Sequence, residues 1–392
     1  MSVLGNPGIA ERLSGGIHST TIGARQRVML SLEQIHRKLS MVTIKDIAAR
    51  LGVSASTVGR ALADDPRISG AMKQKVQEVA DEIGYVANRA ARMMRGVSSN
   101  LVGLIVPDIR NSFYSTIAHA LSKCLEQDGF QLTLSETDDD RTVELRHVRE
   151  LVSANVVGMI LVPSAKPLPE TVRLLKGMPH IQLLRQHAVL GEQWFGIDDP
   201  KALALAVGHL LDLGHRRIAY VGPSTDLPTG AARIKGYREA LVAAKAWDAA
   251  LEVCGSPSAT DFGREALRRL LALPKPPTAL VLGAVQHTHS VLDECLSRGI
   301  RVPDELSVVG FGDEPGFRWW GPGLTTIGLP VSELATACGL WFLHQLRQRP
   351  AALPDYRSMS SPTLVIRAST REPAQATASA APKRVRARSA TA

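Results

Sequence analysis

Between Thr43 and Leu62 the chain reads TIKDIAARLGVSASTVGRAL, and the side chains of its second half form an unusual set. Ala55, Ser56, Thr57, Gly59 and Arg60 are small or polar apart from one arginine. Small residues let a helix approach another surface closely. A lone guanidinium offers a planar fork of donors to paired acceptors such as the N7 and O6 edge of guanine. Other chemistry-bearing residues are scattered. His287 and His289 stand in HTH without a partner cluster, which is weak metal spacing. No GxGxxG follows an apolar run, and GxxxxGK[ST], GxSxG and HExxH are missing from the sequence. These features argue against an enzyme, and no cofactor or metal is expected.

The residues around that set predict short helices. Thr43 is suited to cap the first, with Asp46 three residues on. Ile44, Ile47, Ala48 and Leu51 then recur at i, i+3, i+4 and i+7 as one apolar stripe. Gly52 suits the left-handed position that ends a helix. Ser54 caps a second helix with Val58 and Leu62 inward and the small, polar set opposite. A third runs from Ser69 to Gly84, with Met72, Val76, Val79, Ala80 and Ile83 on one face. Three short helices with a tight turn fit a helix-turn-helix, whose second helix enters the major groove. A generic three-helix bundle fits the pattern equally well.

IGYVANRAARMMRG, from Ile83 to Gly96, breaks the tie. It completes a block from Val42 to Gly96 that resembles the DNA-binding headpiece of the lac repressor family of bacterial regulators. The resemblance is carried by TIKDIAARLGVS, TV followed by RAL, DPRIS, IGY, NRAAR and MR. It implies operator contacts from Thr43, Ser54, Ala55, Ser56, Thr57, Arg60, Asn88 and Arg89. It also implies a hinge helix whose Met94, leucine in most relatives, wedges into a central base step from the minor groove. Gly59 replaces a serine usual in the recognition helix, at roughly 1 kcal/mol of helix propensity. Ala87 replaces the proline usual before Asn88. Both departures are expected to weaken operator binding without altering the fold.

From Leu101 the pattern changes. The apolar runs LVGLIVP, QLTLS, GMILVP, HIQLL, FGID, RIAYVG, TALVLG and LSVVGFG alternate with amphipathic stretches, including helices near Tyr114–Gly129 and Val143–Asn155. Such alternation predicts parallel sheets covered by helices, in two similar α/β lobes. Leu101 to about Arg367 resembles the effector domain of the same family, which is related to periplasmic sugar-binding proteins. LVGLIVPDIRNSFYS, LGHRRIAYVG, RIKGYREAL, RGIRVPDELSVVGFGDEP and PGLTTI carry this likeness. The fold implied is therefore an all-α helix-turn-helix headpiece followed by an α/β periplasmic-binding-protein-like effector domain of two Rossmann-like lobes. By analogy the chain crosses between lobes near Ile197, Ile327 and Arg349, with a ligand between the lobes at the carboxyl ends of strands.

The effector contacts that the resemblance implies begin with Arg233, three residues before the glycine of RIKG, and with Phe113 and Tyr114 after the first strand. Sugar-binding relatives carry Asn-Asp where this chain has Ala284-Val285, and an aspartate where it has Gly312, with Asp313 next. What remains nearby is cationic or aromatic: Arg233, Arg185, His287, His289, Trp319 and Trp320. The expected site is Phe113, Tyr114, Arg185, Arg233, His287, Asp313 and Trp319. The expected effector is a small organic or sugar acid, since arginine without carboxylate favours an anion. A neutral sugar is the alternative.

Size and charge agree with this organisation. The 392 residues call for two or three domains, and a net charge of +9 favours a polyanionic partner. The expected boundaries are a leader over 1–40, headpiece over 41–86, hinge over 87–99, effector and dimerisation domain over 100–370, and a disordered basic tail over 371–392. Met41 is a candidate translation start. The four cysteines show no paired spacing, no signal peptide is evident and no run reaches the eighteen or so apolar residues of a membrane helix. A cytoplasmic homodimeric repressor with operator DNA and a small effector as partners is expected, a tetramer remaining open. A periplasmic transport protein would share the second fold without the headpiece.

Overall fold

The computed structural model describes residues 42–85 and 99–373, apart from 258, 260, 322 and 349–354. The predicted leader, the hinge before Ser99 and the tail beyond residue 373, with Met41, Ala87, Asn88, Arg89 and Met94, lie outside the described residues. The start of the predicted tail is instead held on the second lobe, where the Arg371 backbone N–H donates to Ser307 Oγ at 3.1 Å. The chain divides into two compact units between residues 98 and 99.

In the first unit, helices α1 (Ile44–Leu51), α2 (Ala55–Leu62) and α3 (Gly70–Glu82) follow the local signals. The Thr43 backbone N–H and hydroxyl both donate to Asp46 Oδ2 at 2.7 Å. Gly52 sits at φ 64° beyond α1, a backbone that a side chain would strain. Ser54 and Ser69 accept from the backbones of Thr57 and Met72. Ile47, Val58 and Val76 are fully buried, one from each helix, with Ala48, Ala61 and Ala80 between them. Arg50 and Glu82 pair at 2.9 Å across the outside of α1 and α3.

The second unit holds two six-stranded sheets. Strands β1 (Leu101–Val106), β2 (Gln131–Glu136), β3 (Gly158–Leu161), β4 (His180–Leu183) and β5 (Trp194–Ile197) belong to the first. Strands β6 (Ile218–Pro223), β7 (Glu252–Gly255), β8 (Ala279–Leu282), β9 (Ser307–Phe311) and β10 (Thr325–Gly328) belong to the second. β1 is buried at every residue, as a parallel strand covered on both faces must be. Between them lie α4 (Ser112–Glu126), α5 (Arg141–Ser153), α6 (Pro169–Lys176), α7 (Asp199–Asp212), α8 (Pro228–Ala243), α9 (Phe262–Leu271), α10 (Val285–Arg298) and α11 (Pro315–Trp319).

The chain leaves the first lobe after Ile197 and returns after Gly328, close to the expected crossings. The third crossing differs. Helix α12 (Val331–Arg347) packs in the first-lobe core, and β11 (Arg357–Ser360) pairs in parallel with β5. Only then does the chain pass to β12 (Thr363–Val365), antiparallel to β10 in the second sheet. The passage lies at Ser361–Pro362, well beyond Arg349. β11 reads RSMS with every second residue exposed, so no apolar run marked it.

Candidate nucleic-acid interface and effector cleft

The headpiece presents the expected face with one change. Ala55, Ser56 and Arg60 are exposed and Thr57 half-buried along α2. Ser54 Oγ lies 2.8 Å from both Ser56 Oγ and Thr57 Oγ1, so the three hydroxyls at the start of α2 form one linked set. Gly59 is buried beside Val58 and Ala61, not on the exposed face as expected. It has no side chain to project, and its backbone is covered by the packed side of the helix. The outward face is thus Ala55, Ser56, Thr57 and Arg60, capped by Ser54.

In the second unit a cleft, open to solvent at its mouth, lies between the lobes. The segment after β1 contributes Asp108 and Asn111, α4 contributes Phe113 and Tyr114, and the loop after β4 contributes Arg185. From the second lobe come Thr229, Arg233, Gln286 and Phe311. These are the carboxyl ends of parallel strands, where such sheets bind small molecules.

Both arginines are already engaged. Arg185, 4% exposed, forms a forked pair with Asp139, and its Nη1 also donates to the Pro163 carbonyl at 3.0 Å. Behind it Glu144 is fully buried, its Oε2 accepting from the Ser164 backbone at 2.6 Å, and burial pushes its carboxyl above the ordinary glutamate value. Arg233 Nε donates to Asp199 at 2.7 Å and its Nη1 to the Gly283 carbonyl at 2.8 Å, with the guanidinium 4.0 Å above the Phe311 ring. Asp199 is 5% exposed; burial raises its carboxyl, and Arg233 works against that. The expectation of an acid effector rested on cations left without carboxylates. Asp139 and Asp199 supply those carboxylates, so the unopposed positive charge is not there.

The cleft therefore gathers Phe113, Tyr114, Arg185 and Arg233 from the expected set, and not the other three. Asp313 is held away by Thr326 Oγ1 at 2.8 Å and by Arg367 at 2.7 and 2.9 Å, bonds that keep its carboxyl below the ordinary aspartate value. Trp319 is 77% exposed on α11. Trp320 lines a separate groove with Leu292, Leu296 and Phe317. Asp139, Asp199, Asn111, Gln286 and Phe311 were not foreseen. Asn111 lay inside the quoted PDIRNSFYS, but nothing local marks the two aspartates as partners of distant arginines.

His287 is fully buried in α10, its ring 4.9 Å from that of Phe262, with Nδ1 unpartnered. Burial pushes it from the ordinary 6.5 down to about 4. The folded chain keeps the imidazole neutral where the unfolded chain takes a proton. Stability is thus complete above pH 6.5 and falls as the pH drops toward 4, by about 3 kcal/mol for this group. His287→Leu is expected to flatten that part of the urea-midpoint profile between pH 7 and 4.5; an unchanged slope would exclude His287 as its source.

Residues 43–88 match the sequence profile of bacterial regulatory proteins, lacI family, and residues 207–370 that of the periplasmic binding protein-like domain. The HTH-type transcriptional regulator GntR of Pseudomonas aeruginosa is 30% identical over 294 residues, covering 74% of this chain and 84% of that protein. The chain belongs to the lacI family. Its similarity extends to the HTH-type transcriptional repressor CytR of Escherichia coli, 27% identical over 84% of this chain and 96% of that one. A structure of the transcriptional regulator CelR in complex with cellobiose is 26% identical with a TM-score of 0.63, covering 84% of this chain and 99% of that one. This lacI-family protein is a DNA-binding transcriptional regulator with a periplasmic-binding-protein-like effector domain. Among the described residues no group of three or more histidines, cysteines or acids could hold a metal ion, and no helix is long and apolar enough to cross a membrane.

Proposed function

We propose that the protein is a homodimeric repressor of a near-palindromic operator, released or recruited by a small, neutral, hydroxyl-bearing effector. The pairing of Arg185 with Asp139 and of Arg233 with Asp199 carries the effector assignment. A carboxylate ligand entering this cleft would face acids beside each guanidinium, whereas hydroxyls can accept from arginine and donate to aspartate at once. Phe113, Tyr114 and Phe311 add apolar walls suited to the faces of a ring. The cellobiose carried by CelR is of this class. Calorimetry with a panel of neutral sugars, nucleosides and sugar acids tests the reading. Saturable binding of a neutral member supports it, and binding of acids alone would reinstate the anionic effector.

Repression is supported by the likeness to CytR; a homodimer would place two headpieces on the two half-sites of such an operator. The apolar groove of Leu292, Leu296, Phe317 and Trp320, with Leu296 66% exposed, is a surface that a second copy would cover. Direct reading of bases falls to the exposed face of α2, with Met94 as the proposed wedge and Asn88 and Arg89 on the backbone. Arg60→Ala is expected to cost about 1–3 kcal/mol of operator affinity and to relax selectivity at one base per half-site. Footprint titrations against single-base operator variants check this. A uniform loss at every base would make Arg60 a phosphate contact instead.

A further inference from the structure

Away from the crossing segments, one polar cluster joins the two lobes directly. Ser112, in the first turn of α4, donates its hydroxyl to Glu314 Oε1. Ser112 belongs to the first lobe, and Glu314 to the second, where it stands immediately before α11. The other carboxylate oxygen, Oε2, lies 2.5 Å from His289 Nε2 of α10. Glu314 is mostly enclosed, its side chain 16% exposed. Burial works against its ionisation, yet the bonds from His289 and Ser112 outweigh this and keep its carboxyl below the ordinary glutamate value.

Its position gives this cluster leverage. Asn111 and Phe113, either side of Ser112, line the effector cleft. His289 lines the neighbouring groove, and its ring packs 5.0 Å from that of Phe317 on α11. The Glu314 carbonyl accepts the Phe317 backbone N–H at 3.0 Å, so the same residue begins α11. Pro257 and Gln286 line both cavities. Any separation of the lobes at this edge must break the Ser112 bond, and Glu314 is then held from one side only.

We infer that Ser112, Glu314 and His289 form an interlobe latch, which holds the cleft closed and ties its closure to the position of α11 and the apolar groove beneath. Glu314 is a positioning residue: it touches no effector, but it sets how far the lobes part and what α11 does when they part. The latch belongs to the two-lobed frame and does not depend on which ligand fills the cleft.

Hydrogen exchange of the full chain without any ligand is the test. Ser112→Ala removes one hydroxyl from an accessible helix start and leaves the Ser112 carbonyl free to keep its bond from Ser115 Oγ. It is expected to speed exchange about tenfold in segments 109–116 and, in the other lobe, 315–320, with β1 and β8 unchanged. Glu314→Ala, which removes both bonds, is expected to do at least as much, and Ser112→Ala/Glu314→Ala no more than Glu314→Ala alone. His289→Phe, which keeps a ring against Phe317, is expected to loosen 315–320 with a smaller effect in 109–116. Unchanged exchange at 315–320 in Ser112→Ala, or additive effects in the double variant, would overturn the latch. Because no ligand is present, failure here leaves the effector assignment untouched, and an acid effector leaves the latch untouched.

Discussion

Asp199→Ala is expected to cost the effector domain about 3–5 kcal/mol, the range found when one member of a buried ion pair is removed. Asp199 is 5% exposed and accepts Arg233 Nε at 2.7 Å. Without it the guanidinium keeps the Gly283 carbonyl and the Phe311 face, but no counter-charge at Nε. The cost is the desolvation of that cation, not the net worth of the pair. Asp199→Leu/Arg233→Met should therefore recover much of the loss, because two apolar side chains leave no buried charge behind. The same double variant should bind no effector, since Arg233 lines the cleft. Urea unfolding followed by tryptophan fluorescence measures the first effect, and calorimetry the second. A loss below about 1 kcal/mol for Asp199→Ala would mean that water reaches the guanidinium and solvates it.

The two aspartates also show where reading the sequence stops. Asp199 lies 34 residues from Arg233, and Asp139 lies 46 from Arg185. Both arginines could be placed in the cleft because they follow recognisable strings. Their partners could not, because an ion pair between distant segments leaves no spacing in the chain. The charge expected of the site differs from the one observed for that reason, while Phe113, Tyr114, Arg185 and Arg233 do line one cleft. His287 was misplaced differently. A histidine in HTH looks accessible, but α10 is buried on more than one side, with Val285, Thr288 and Val291 also enclosed.

Local signals were read more easily because their physics is local. A threonine with an acid three residues on, a glycine at a left-handed position and a serine before an alanine each act within one turn, and each sits where expected. The central strands were legible as apolar runs because parallel strands bury both faces. Three of the four edge strands were not: β7 has one buried residue and β11 and β12 have none, whereas the edge strand β2 was read from QLTLS although none of its residues is fully buried. The misplaced third crossing follows from those silent edges, not from any fault in the two-lobe reading.

Ile47→Ala should abolish operator binding while leaving the effector domain at its ordinary stability. Ile47, Val58 and Val76 are the fully buried centre of a described headpiece of 44 residues, and the rest of that cluster is alanine or half-buried. A large-to-small change at such a site costs about 2–5 kcal/mol through lost burial and the cavity left behind. Domains this small hold little more than that in reserve. The headpiece would then unfold as a unit, removing Ser56, Thr57 and Arg60 together from the face they share on α2. The lobes draw on separate cores, among them those built on β1 with α4 and on β8 with α9 and α10, so their unfolding midpoint should not move. This outcome differs in kind from that of Arg60→Ala, which leaves α2 folded and weakens one contact. Limited proteolysis separates the two: rapid cleavage within 42–85 is expected for Ile47→Ala and not for Arg60→Ala. A protease-resistant Ile47→Ala that still binds its operator would show that the three alanines and the flanking half-buried residues are enough to hold the headpiece together.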